Sequence, residues 1–119
     1  MFIAKHIGMQ LMLIKEVALL LKLESIESLL IENLNHIKKF GISRLGIFGS
    51  YSKGQPIETS DIDILISFEP HKKTFDNYID LKFYLEELLN KRIDLVIEEN
   101  IKKELRDEIL RSVHYVEAA

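Results

Sequence analysis

Gly49–Glu69, GSYSKGQPIETSDIDILISFE, is the stretch from which the rest of the chain can be read. A Gly-Ser pair opens a loop of small and polar residues. Ten residues then separate Ser50 from Asp61-Ile62-Asp63, at the head of an apolar run. Glycine at position 49 permits a tight turn and a close backbone approach to a ligand. The amides after it, at the start of a short helical turn, suit phosphate oxygens. Asp61 and Asp63 stand two apart, so in a strand both carboxylates leave one face while Ile62 and Ile64 enter the other. Like charges held that close repel and shift each other's titration. A divalent cation relieves the repulsion, and hard oxygen donors suit magnesium, commonly held by one or two carboxylates plus substrate phosphates. The alternative is a solvated strand edge. Aspartate is depleted in strands and a same-face pair is costly, which favours the cation.

The string GSYSKG…SDIDILI, with G-S, ten residues and then D-x-D, resembles the signature of the polymerase-beta-like nucleotidyltransferase superfamily. It is most similar to the minimal (MNT) branch, antitoxins paired with HEPN-domain toxins. The resemblance runs from Ser25 to Val116. In that family a third carboxylate sits on a later strand, and Lys91-Arg92-Ile93-Asp94-Leu95-Val96 fits the segment. By itself Asp94 also reads as an edge residue or a partner of Arg92. The resemblance implies that Asp61, Asp63 and Asp94 form the catalytic and metal-binding set, with Asp94 also the base. It implies that Gly49 and Ser50 hold the β- and γ-phosphates. Ser52 and Lys53 complete the expected nucleotide-binding loop where many relatives have Ala and Arg; a solvated loop lysine is the competing reading of Lys53.

The function so implied is magnesium-dependent transfer of AMP from ATP to a hydroxyl, a tyrosine of a HEPN-family ribonuclease toxin, in a hetero-oligomer with that toxin. One alternative is an antitoxin that neutralises by binding alone. Another is a small-molecule or tRNA nucleotidyltransferase, disfavoured by the lack of a substrate domain and by the acidic balance.

Composition agrees with a small soluble domain. The 119 residues are 47% hydrophobic and 29% charged, a globular balance. Net charge is −3 and the pI about 5.8, so no global basic field favours a long nucleic acid. With no cysteine, thiol nucleophiles, disulfides and thiolate zinc sites are excluded, and a cytoplasmic setting fits. Residues 7–23 are apolar but interrupted by Lys15 and Glu16. They are also shorter than the ~20 apolar residues a spanning helix needs, so no membrane segment is expected. His6, His36, His71 and His114 lack metal-ligand spacing.

The expected fold is α/β (α+β), a small mixed sheet of three to four strands with helices packed on it, the polymerase-beta-like nucleotidyltransferase fold. Residues 1–24 read as an N-terminal helical extension and 25–119 as the minimal nucleotidyltransferase domain. Leu11, Ile14, Val17, Ala18 and Leu21 predict a helix over 9–22. Ser25 is the expected N-cap of a second helix that Gly41 ends. Strands are expected at 44–48, 62–68 and 92–97, with a short one at 113–116. Phe75, Tyr78, Leu81, Leu85 and Leu88 predict a helix over 74–89 with Asn90 as a left-handed cap. Asn100 is the expected cap of a last helix whose apolar stripe is Ile101, Leu105 and Ile109.

Overall fold

The computed structural model describes residues 22–53 and 61–117. Within them, helix α1 (residues 22–32) and α2 (Leu34–Lys38) precede β1 (Ile42–Phe48) and the single turn α3 (Gly49–Ser52). Then come β2 (Ile62–Phe68), α4 (Phe75–Leu89), β3 (Ile93–Ile97), a 3-10 turn at Glu98–Asn100, α5 (Lys103–Ser112) and β4 (His114–Val116). The helix expected over 9–22, apart from Lys22, lies outside the described residues.

The strands form one mixed sheet in the order β3-β2-β1-β4. β1 runs antiparallel to β2 and β4, while β2 and β3 are parallel, joined by the crossover helix α4. Period-two alternation sends Leu45, Ile47, Ile62, Ile64, Ile66, Ile93 and Leu95 to one face. Leu30 of α1, Ile37 of α2 and Leu81 and Leu85 of α4 close over them as one buried cluster. Each such side chain contributes about 1.5–3 kcal/mol on leaving water. The opposite face carries Arg44, Gly46 and Phe48 from β1, Asp63, Leu65 and Ser67 from β2, and Asp94 and Val96 from β3. On that side a side chain at Gly46 would strike Val113 and Tyr115, so its absence lets the C-terminal segment approach the sheet.

α4 matches its expected bounds closely. Thr74 accepts the Asn77 N–H at 3.1 Å as N-cap, and Asn90 ends the helix in the left-handed region at φ 51°. α4 also seals the outer border of β3. Arg92 O faces β2, where it accepts the Ile62 N–H at 3.0 Å, so the backbone N–H and C=O groups of residues 93 and 95 point away from β2. There the Ile93 N–H donates to the Glu86 carboxylate at 3.2 Å, and the Tyr78 hydroxyl donates to Leu95 O at 2.7 Å.

Several local expectations are corrected. Ser25 caps nothing, because α1 is already helical at Lys22. The second helix is broken at Asn33, whose side chain donates to Leu29 O at 2.8 Å and competes with the helix ladder. β1 begins at Ile42, which pairs with Phe68 before a register irregularity. Asn100 does not cap α5; its oxygen accepts from Lys73 Nζ at 3.2 Å, and Lys102 stands at the N-cap without a side-chain bond. Phe75 is 74% exposed and Leu105 50%. α5 contains no fully buried residue.

Candidate active site

The register of the sheet assembles the candidate site. β1 ends at Phe48, which pairs with Asp63, and Asp63 in turn pairs with Asp94 across the parallel β2–β3 ladder. In-register residues on parallel strands project to the same face, so Asp63 and Asp94 stand side by side. Asp61 is exposed at the head of β2. Gly49, the next residue after Phe48, turns the chain at φ +72°. A β-carbon there would collide with Asp63 Oδ2. The Gly-Ser bend is therefore packed directly against the central carboxylate, and only glycine fits both the space and the backbone angle.

The bend continues into α3. Gly49 O accepts the Lys53 N–H at 3.1 Å and the Ser52 hydroxyl at 3.0 Å. Ser52 thus uses its proton to tie the turn, and Lys53 is exposed at its end. Ser50 is half-buried beside Gly49, whereas Tyr51 is buried in the helical-side core. Asp61, Asp63, Asp94, Gly49 and Ser50 are thereby gathered at one edge of the sheet.

Electrostatics single out Asp63. Burial first, then the charge of Asp94, a hydrogen bond with Asp94 and the charge of Asp61 push its carboxyl up to about 6. High proton affinity at a half-buried carboxylate marks a spot of negative potential that a cation would relieve. Among the described residues, no three acidic or histidine side chains enclose a cation by themselves. Magnesium does not require that, since it keeps waters and takes one or two carboxylates with phosphate oxygens. The donor set fits it.

Glu98 escaped the sequence reading. Its carboxylate accepts from Arg44 Nη2 at 2.8 and 2.9 Å and from the Ser67 hydroxyl at 2.6 Å. Its carbonyl accepts from Arg106 at 3.4 Å, and the Arg44 guanidinium lies 4.2 Å from the Tyr115 ring centroid. The Ser67 hydroxyl and Arg44 hold Glu98 below the usual carboxylate range. One side chain thus ties β1, β2 and the end of β3 together, four residues after Asp94. The alternation Asp94, Val96, Glu98 was its only sequence signal.

The profile of the nucleotidyltransferase domain matches residues 28–116, most of the chain and all of the sheet. The chain belongs to that family. This nucleotidyltransferase is 41% identical over 98 residues to the protein adenylyltransferase MntA of Thermococcus cleftensis, covering 82% of this chain and 98% of that one. A solved structure assigned to the minimal nucleotidyltransferases superposes with a TM-score of 0.69 at 34% identity, covering 77% of this chain and 93% of the other. A tri-AMPylated HEPN toxin of Shewanella oneidensis in complex with its MNT antitoxin gives a TM-score of 0.53 at 21% identity, over 85% and 73% of the two chains. At that identity it speaks for the fold. As a nucleotidyltransferase the chain is an enzyme with the expected α/β architecture. Among the described residues, no helix is long and apolar enough to cross a membrane.

Proposed function

We propose that this nucleotidyltransferase is a magnesium-dependent antitoxin that moves AMP from ATP to a tyrosine hydroxyl of a HEPN-family ribonuclease toxin, in the cytoplasm and in complex with it. The observation that carries the proposal is the in-register Asp63–Asp94 pair set against the Gly49 turn. The MntA relative, named a protein adenylyltransferase, supports the transferred group. The AMPylated toxin bound to a similarly folded antitoxin supports the acceptor. Residues 25–119 are taken as the transferase unit and 1–24 as its extension.

Each residue then has a role. Asp61 and Asp63 hold magnesium, with Asp94 as the third ligand. When bound, the ion supplies charge neutralisation on the triphosphate and polarisation at the α-phosphorus. Gly49 and Ser50 place backbone amides and a hydroxyl toward the β- and γ-phosphates, with Ser52 and Lys53 completing the loop. Asp94, exposed beside Asp63, accepts the proton of the acceptor hydroxyl. The hydroxyl oxygen attacks the α-phosphorus, and the bond from that phosphorus to its bridging oxygen breaks. Pyrophosphate departs with the electron pair. Such a transfer needs mainly positioning and charge neutralisation, which a domain of this size provides.

The test incubates the HEPN-family partner with this protein, magnesium and α-labelled ATP. Label is expected on the partner and lost in Asp61→Asn/Asp63→Asn. An unlabelled partner, or undiminished labelling by the double variant, refutes the proposal. Toxin neutralisation that survives the double variant marks an antitoxin acting by contact alone.

A further inference from the structure

Behind the sheet edge that carries the carboxylates, the helical side holds a groove of about 420 Å³. Leu29, Tyr51, Ile62 and Leu89 form its apolar walls, with Lys22 and Lys91 also lining it. Two of these residues are neighbours of the catalytic set in sequence. Tyr51 follows Ser50, and Ile62 lies between Asp61 and Asp63, on the opposite face of the strand. The carboxylates and the groove thus share one edge, approached from its two sides.

We infer that this groove anchors the acceptor polypeptide, taking an apolar side chain flanked by acidic residues while the acceptor hydroxyl reaches Asp94. The inference rests on the proposed transfer to a protein and adds how that protein is held. The pocket's chemistry selects the occupant. Among the described residues its walls are apolar and Lys22 stands at its border as a cation, although the whole chain carries −3, so an acidic partner segment is drawn to this place. Leu29 is 37% exposed although it lines the groove, so a partner covering it removes further apolar surface from water. Continuity with the catalytic edge makes the acceptor protein the occupant, in preference to a second copy of this chain.

The test uses the full chain and its HEPN-family partner, with Leu29→Glu and, as a variant that removes no apolar packing, Lys22→Glu. Three quantities are read: affinity for the partner, KM for the partner in AMP transfer, and Kd for an ATP analogue. Both variants are expected to raise the partner's Kd and KM by about tenfold, the scale of an interface anchor, with the analogue's Kd unchanged. Wild-type partner binding in both variants overturns the inference and leaves the proposed transfer standing. A weakened ATP analogue gives the groove to the nucleotide, and a change from dimer to monomer in sedimentation gives it to a second copy; either also overturns it. If the wild type transfers no AMP, the proposed function fails, and partner affinity still decides the groove.

Discussion

Replacing Asp63 by Asn is expected to stabilise the metal-free protein while removing its activity. In the folded chain, burial and the nearby Asp94 and Asp61 push the Asp63 carboxyl from 3.8 up to about 6. A group whose pKa is raised by folding favours the fold when protonated. That contribution is complete below about pH 4 and is lost as pH rises through 6. At neutral pH the wild type therefore carries an ionised carboxylate where the fold disfavours one. At ~1.4 kcal/mol per pKa unit the cost would be ~3 kcal/mol, and screening at this half-exposed site reduces it to about 1.5 kcal/mol. Asparagine keeps the shape of the protonated acid without the charge. Urea or thermal unfolding in EDTA should show near-equal stability at pH 4 and an advantage for Asp63→Asn of about 1.5 kcal/mol at pH 7.5. For a chain of this length that corresponds to about 6 °C in Tm. Magnesium with a non-hydrolysable ATP analogue should narrow the gap by stabilising the wild type alone. A gap independent of pH, or a variant less stable at pH 7.5, would refute the electrostatic reasoning.

Gly49→Ala places a methyl against Asp63 Oδ2 at φ +72°, so it should lose about 1–3 kcal/mol of stability and weaken binding of an ATP analogue by calorimetry. Glu98→Ala removes the acceptor shared by Arg44 and Ser67; with Arg44 half-exposed, the loss is about 1 kcal/mol at pH 7. Since folding lowers the Glu98 pKa, its contribution is present above the usual carboxylate range and fades in acid, so wild type and variant should converge in urea melts near pH 3. Thr74→Ala removes the N-cap of α4 and should cost about 1 kcal/mol in the same assay.

Much of the architecture was legible because two periods dominate it. Alternation in Ile62–Phe68 and Ile93–Ile97 located the parallel pair β2 and β3, and the spacing of Leu81 and Leu85 located α4. The same alternation put Asp63 and Asp94 on one face once their strands paired in register. Register itself was not legible, because it depends on a long-range bond such as that from Ile62 to Arg92. End signals fared unevenly. Asn90 acts as read, whereas Thr74, taken as the first helical residue, is the N-cap, Asn100 is drawn to Lys73 and Ser25 lies inside a longer helix. Of the expected stripe Ile101, Leu105 and Ile109, Ile101 precedes α5 in an extended conformation, and period alone does not say whether a neighbour covers the rest: Leu105 is half-exposed. Glu98 went unseen because its partners are 31 and 54 residues away in sequence.

The side chains of Tyr78 and Glu86 along β3 have a consequence for how this protein meets others. A small sheet ordinarily offers its rims as templates for foreign strands, a route to aggregation. Here one rim has two of its outward groups, the Ile93 amide and the Leu95 carbonyl, already engaged, and the other is a strand of only three residues. Lateral growth by shared backbone ladders is thereby hindered at both rims, which shifts recognition of a partner toward individual side chains.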